Sequence, residues 1–79
     1  MSEKIVSEVE AMVKEIKKLD FLDPDTNIVD EGIVDSFDIM QIVSHVAERF
    51  GVVIGGNDLT PSTFTSVRSL AAFIQDRKQ

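Results

Sequence analysis

An all-α domain is what this sequence predicts, and three observations carry that expectation. Apolar residues recur at spacings of three and four in three separate stretches, the period of a helix with one buried face. Glycine and proline fall between those stretches rather than inside them. The one short β-branched run, Val52-Val53-Ile54, has nothing elsewhere in the chain to pair with. At 79 residues the chain is long enough for a single domain, residues 1–79, and too short for a second.

Residues 2 to 18 read as the first helix. Ile5, Val9, Met12, Val13, Ile16 and Leu19 form its apolar stripe. Glu3, Glu8 and Glu10 load its early turns, and Lys14, Lys17 and Lys18 its last ones, an order that complements the helix dipole. Residues 20 to 35 form a long connection. Pro24 stops any helix there and Gly32 permits a tight turn. Its apolar residues Phe21, Leu22, Ile28, Val29, Ile33 and Val34 predict that it folds back onto the core. The stretch Asp23 to Asn27 opens like a calcium loop, but the pattern fails at Ile28, where glycine belongs, and at Val34, where glutamate belongs.

Residues 36 to 50 read as the second helix. Ile39, Met40, Ile42, Val43, Val46, Ala47 and Phe50 are expected on its inner side. Asp38, Gln41, Ser44, His45, Glu48 and Arg49 are expected outside, with Phe37 among them beside Ser36. Phe37 is then either a docking contact or packed on the preceding loop. Gly51 ends the helix, and residues 51 to 59 read as a loop bent at Gly55 and Gly56. Thr60-Pro61 is a good cap and first position for a short helical turn reaching Phe64, a core anchor. Ser66 caps a last helix carrying Val67, Leu70, Ala71 and Ile74 inward, with Phe73 beside them.

The composition narrows the function. A net charge of -6 argues against nucleic acid, whose phosphates need Lys and Arg clusters, and against anionic membranes. It favours partners with basic patches. No apolar run approaches the roughly 20 residues of a bilayer span, and the N-terminus starts polar, so a cytoplasmic chain without membrane insertion is expected. The absence of cysteine removes thiolate nucleophiles and thiolate metal sites. His45 is the sole histidine, which leaves no histidine cluster for an intrinsic metal site. It also cannot activate Ser36, because nine residues of helix put the two about 13 Å apart and half a turn out of phase. No catalytic residue is assigned and an enzyme is not expected.

Everything else in the chain leads to the junction Gly32 to Met40, where an acidic loop meets an amphipathic helix at one hydroxyl, Ser36. Taken on its residues alone, the plainer role of Ser36 is a helix N-cap. Asp35 is an equally good cap, however, and Asp38 three residues on completes a capping-box-like pair. If Asp35 caps, Ser36 is free at the positive end of the helix, where a phosphate ester would meet unpaired N–H groups. Asp35 and Asp38 would oppose that anion unless a metal or a basic partner neutralises them.

The run Asp35-Ser36-Phe37, led by Glu31-Gly32-Ile33-Val34, resembles the attachment motif of the acyl carrier and peptidyl carrier protein family. Leu22-Asp23-Pro24-Asp25-Thr26, Arg49-Phe50-Gly51-Val52, Asp58-Leu59-Thr60-Pro61, Phe64, Ser66-Val67 and Leu70-Ala71 extend the resemblance over nearly the whole chain. It implies a four-helix bundle with a short third helix and a long first loop. It implies 4'-phosphopantetheine carried on Ser36, installed from coenzyme A by a phosphopantetheinyl transferase that uses magnesium, with Asp35 helping to place metal and cofactor. Acyl or aminoacyl groups then ride as thioesters, loaded by an activating ligase and passed to downstream acyl-using enzymes. Phe37, Asp38, Gln41, His45 and Glu48 become the partner-recognition face of a monomer. Phe37 in place of the commoner leucine is similar to the D-alanyl carriers of cell-wall modification. Gly55 stands where proline is frequent. With Gln41, His45 and Arg49 outward, the second helix is less acidic than in fatty-acid carriers, which favours a specialised pathway (lipid, polyketide, nonribosomal peptide or D-alanylation). The competing expectation is a non-covalent interaction module of the same fold, with Ser36 only a cap.

Overall fold

The computed structural model describes residues 3–78. Three α-helices carry the fold: α1 Glu3–Lys17, α2 Ser36–Phe50 and α3 Val67–Lys78, with one 3-10 turn at Gly56–Asp58. The architecture is all-α, as the sequence predicts. The start of the first helix at residue 2 lies outside the described residues.

The last turn of α1 shows how the chain leaves a helix without glycine. Lys18 adopts φ 56°, and the N–H of Leu19 donates to the Lys14 carbonyl at 2.9 Å. This closes a Schellman-type turn on a non-glycine residue. The helix therefore stops one residue earlier than its charge pattern suggests.

α1 packs against both α2 and α3. Val6, Val9, Met12 and Val13 of α1 are buried with Ile42 and Val46 of α2 and with Val67, Leu70, Ala71 and Ile74 of α3. The long connection does fold back, except at Phe21, which is 79% exposed. Leu22, Ile28 and Val34 are buried, and the Ile28 carbonyl accepts from both Ile33 and Val34. Two further bonds tie this connection to the start of α3: Ile28 N–H to the Thr65 carbonyl and Arg68 N–H to the Pro24 carbonyl. Gly32, with φ 72°, makes the turn that brings the chain to α2.

Residues 52–54 form no strand and no strand occurs among the described residues; Val52 and Ile54 are buried and Val53 is exposed. The bend expected at Gly55 and Gly56 is the 3-10 turn. Asp58 holds it by accepting from the Gly55 N–H and from Arg77, whose guanidinium also covers the Phe73 ring at 4.6 Å.

The short third helix expected from Thr60 to Phe64 is a turn instead. Thr63 and Phe64 both donate to the Thr60 carbonyl, and no helical run follows. The reason is local. The Thr60 hydroxyl bonds Ser62, Thr63 and the Thr63 N–H, and the Thr65 hydroxyl takes the Pro61 carbonyl at 2.6 Å. Hydroxyl side chains thus compete with the backbone for its own partners. Phe64 is nonetheless the buried anchor the sequence predicts.

Candidate functional site at the start of the second helix

The first turn of α2 is built around two reciprocal carboxylates. Asp35 is the N-cap and its Oδ1 accepts the Asp38 N–H at 3.0 Å. Asp38 Oδ2 returns the bond from the Asp35 N–H at 3.0 Å, completing a capping box. The choice left open between Asp35 and Ser36 is therefore resolved in favour of Asp35. Ser36 is the first helical residue and is exposed. No hydrogen bond to its hydroxyl is found among the described residues.

Asp38 does not face outward as expected. It is only 7% exposed, and Lys17 from the end of α1 donates to its Oδ2 at 2.7 Å. The cause is helical geometry. Asp38, Ile42 and Val46 succeed one another at steps of four, so Asp38 heads the buried line. Its carboxyl is held below its ordinary pKa, first by the hydrogen bond from the Lys17 ammonium and then by that from the Asp35 N–H.

The inner face of α2 needs a second correction. Ile42 and Val46 are buried and Ile39, Val43 and Phe50 are partly covered, but Met40 and Ala47 are exposed. Met40 lies two residues from Ile42, about 200° around the helix. It stands instead one turn from Phe37. At 69% and 57% exposed respectively, Phe37 and Met40 form an apolar pair beside Ser36. Glu48 is exposed, whereas Gln41 and His45 are half-buried.

Ser36 itself lines a cleft of about 320 Å³. Val29 of the connection, Ile39 and Met40 of α2, and Leu59, Pro61 and Phe64 of the region after the 3-10 turn give it apolar walls. A group esterified to Ser36 has open solvent above it and apolar walls next to it. The residues therefore fit a long, flexible covalent appendage.

A family model described as a phosphopantetheine attachment site matches residues 5–74 of the chain. The chain belongs to that family. Its members hold 4'-phosphopantetheine covalently on a serine and act as carriers. No curated protein matches the chain. This carrier's described residues include no helix long and apolar enough to cross a membrane.

Three features of the site escaped sequence reasoning. Lys17 was legible only as a charge suited to a helix C-terminus, since its partner lies 21 residues away. The cleft walls depend on how Val29 and the segment from Leu59 to Phe64 come to lie beside α2. The inward turn of Asp38 did have a signal, because the four-residue step to Ile42 places both on one face.

Proposed function

We propose that Ser36 is the residue that carries 4'-phosphopantetheine, and that the chain shuttles acyl or aminoacyl groups between partner enzymes as a monomeric, cytoplasmic, non-catalytic carrier. The observation that carries this reading is the division of labour at the helix start. Asp35 takes the cap, so the Ser36 hydroxyl is exposed and uncommitted at the positive end of α2. Among the described residues, the other exposed serines are placed differently. Ser7 and Ser44 lie within helices, and Ser62 is bonded to Thr60.

When attached, the cofactor supplies a thiol for thioester formation, which the cysteine-free chain lacks. The chain's own residues do the rest. Ser36 provides the nucleophilic oxygen during modification. Asp35 Oδ1 is engaged with the Asp38 N–H, whereas no bond to Oδ2 is found among the described residues. That oxygen suits Asp35 to help place magnesium and the incoming coenzyme A. Phe37, with Gln41, His45 and Glu48 further along α2, is the surface offered to the phosphopantetheinyl transferase, the activating ligase and downstream acyl-using enzymes. Tethering raises the effective concentration of cargo at each partner's active site. The phenylalanine at position 37 and the mixed charge of α2 favour a specialised pathway with a dedicated ligase.

The competing reading, a non-covalent module with Ser36 as a cap, loses its main support once Asp35 is seen in that role. Incubation with coenzyme A, magnesium and a broad-specificity phosphopantetheinyl transferase separates the two. The carrier gains the mass of one phosphopantetheine, and Ser36→Ala gains none. A folded wild-type chain that gains nothing from an active transferase overturns the proposal.

A further inference from the structure

We propose that Lys17 is a positioning residue for modification of Ser36, supplying from within the chain the positive charge that the acidic junction needs. The inference rests on Ser36 being the attachment point. Modification forms a bond from Ser36 Oγ to the phosphorus of coenzyme A that bears the pantetheine. The bond from that phosphorus to the oxygen of adenosine 3',5'-bisphosphate breaks, and the hydroxyl proton passes to the transferase or to solvent. A phosphodiester anion is left on the first turn of α2. Asp35 precedes that residue by one position and Asp38 follows it by two. Two bare carboxylates there would repel both the incoming pyrophosphate and the product.

The structure leaves only one of them bare. Lys17 Nζ lies 2.7 Å from Asp38 Oδ2, with the two side chains 28% and 10% exposed. A partly covered pair is screened by salt less than a surface pair. The same Oδ2 accepts the Asp35 N–H, so the ammonium is joined through one oxygen to the capping turn that presents Ser36. Lys17 thus acts twice. It cancels the Asp38 charge, and it anchors the first turn of α2 to the end of α1, leaving Asp35 as the acidic group open to metal and cofactor.

The test is the initial rate of coenzyme A-dependent modification, measured at a temperature where circular dichroism shows every variant folded. Lys17→Met is expected to lower kcat/KM about fivefold, the effect of roughly one helix-terminal charge. Lys17→Arg keeps the charge and is expected to restore most of it. The deciding variant is Lys17→Met combined with Asp38→Asn. Removing the stranded anion should make the double variant faster than Lys17→Met alone. A purely structural Lys17 predicts the reverse, since the second change further weakens the cap. A double variant no faster than the single one, or a Lys17→Met chain with wild-type kcat/KM, overturns the inference. If the wild-type chain is itself not modified, the carrier reading falls and the inference with it, an outcome distinct from the other two.

Discussion

Replacing Phe37 by alanine should separate recognition from folding. Phe37 is 69% exposed, so roughly a third of a phenylalanine surface of about 200 Å² is covered in the folded chain. At about 25 cal/mol per Å², that is at most about 1.5 kcal/mol of stability, and less once the compact unfolded chain is considered. Phe64→Ala sets the contrast. It truncates a buried anchor and should cost about 3–5 kcal/mol. A partner that covers Phe37 fully makes it an aromatic hot spot worth about 2 kcal/mol or more, a loss of about thirtyfold in kcat/KM. Urea denaturation gives the first quantity, and transferase kinetics on the same preparation give the second. A Phe37→Ala chain destabilised as much as Phe64→Ala, with modification kinetics unchanged, would refute the reasoning and make Phe37 a core residue.

Three further outcomes follow from the geometry. Asp35→Ala removes the N-cap and should cost about 1 kcal/mol in urea denaturation, whereas Ser36→Ala should stay within about 0.5 kcal/mol; equal losses would mean that the two residues share the cap. Lys18→Gly relieves a left-handed lysine and should raise stability by about 1 kcal/mol, seen as a Tm several degrees higher, while an unchanged or lower Tm contradicts a strained Lys18. The Asp38 carboxyl has its pKa lowered on folding, so its contribution is fully present above the ordinary carboxylate pKa of about 3.9 and is lost as pH falls through the lower folded value. The difference in urea midpoint between wild type and Asp38→Asn should therefore be largest near neutrality and shrink below pH ~4; a difference that grows on acidification would contradict the Lys17 pairing.

The helices were legible because their signals are local. Val9, Met12 and Val13, or Leu70, Ala71 and Ile74, declare a face within a few residues of sequence. The junction was legible as well, because Asp35 followed three residues later by Asp38 is the local signature of the capping box that the structure contains. What remained hidden came from contacts between distant segments and from competition within a segment. The Lys17–Asp38 pair joins residues 21 apart. The cleft beside Ser36 needs Val29, Met40 and Leu59 brought together from three regions. The third helix fails because the hydroxyls of Thr60 and Thr65 bond backbone groups of the same turn, which a cap-and-proline signature does not reveal. Met40 misled in another way. An apolar residue beside an apolar face reads as core, whereas its angle about the axis sets it next to Phe37.

The proposed carrier role requires that the appendage sit on Ser36 and nowhere else. Fragmentation mass spectrometry of the modified chain, after proteolysis into peptides that resolve Ser36 from Ser2, Ser7, Ser44, Ser62, Ser66 and Ser69, is the decisive measurement. The phosphopantetheine mass is expected in every fragment ion that contains Ser36 and in none that stops short of it. The same mass on any other serine, with Ser36 unmodified, would contradict it.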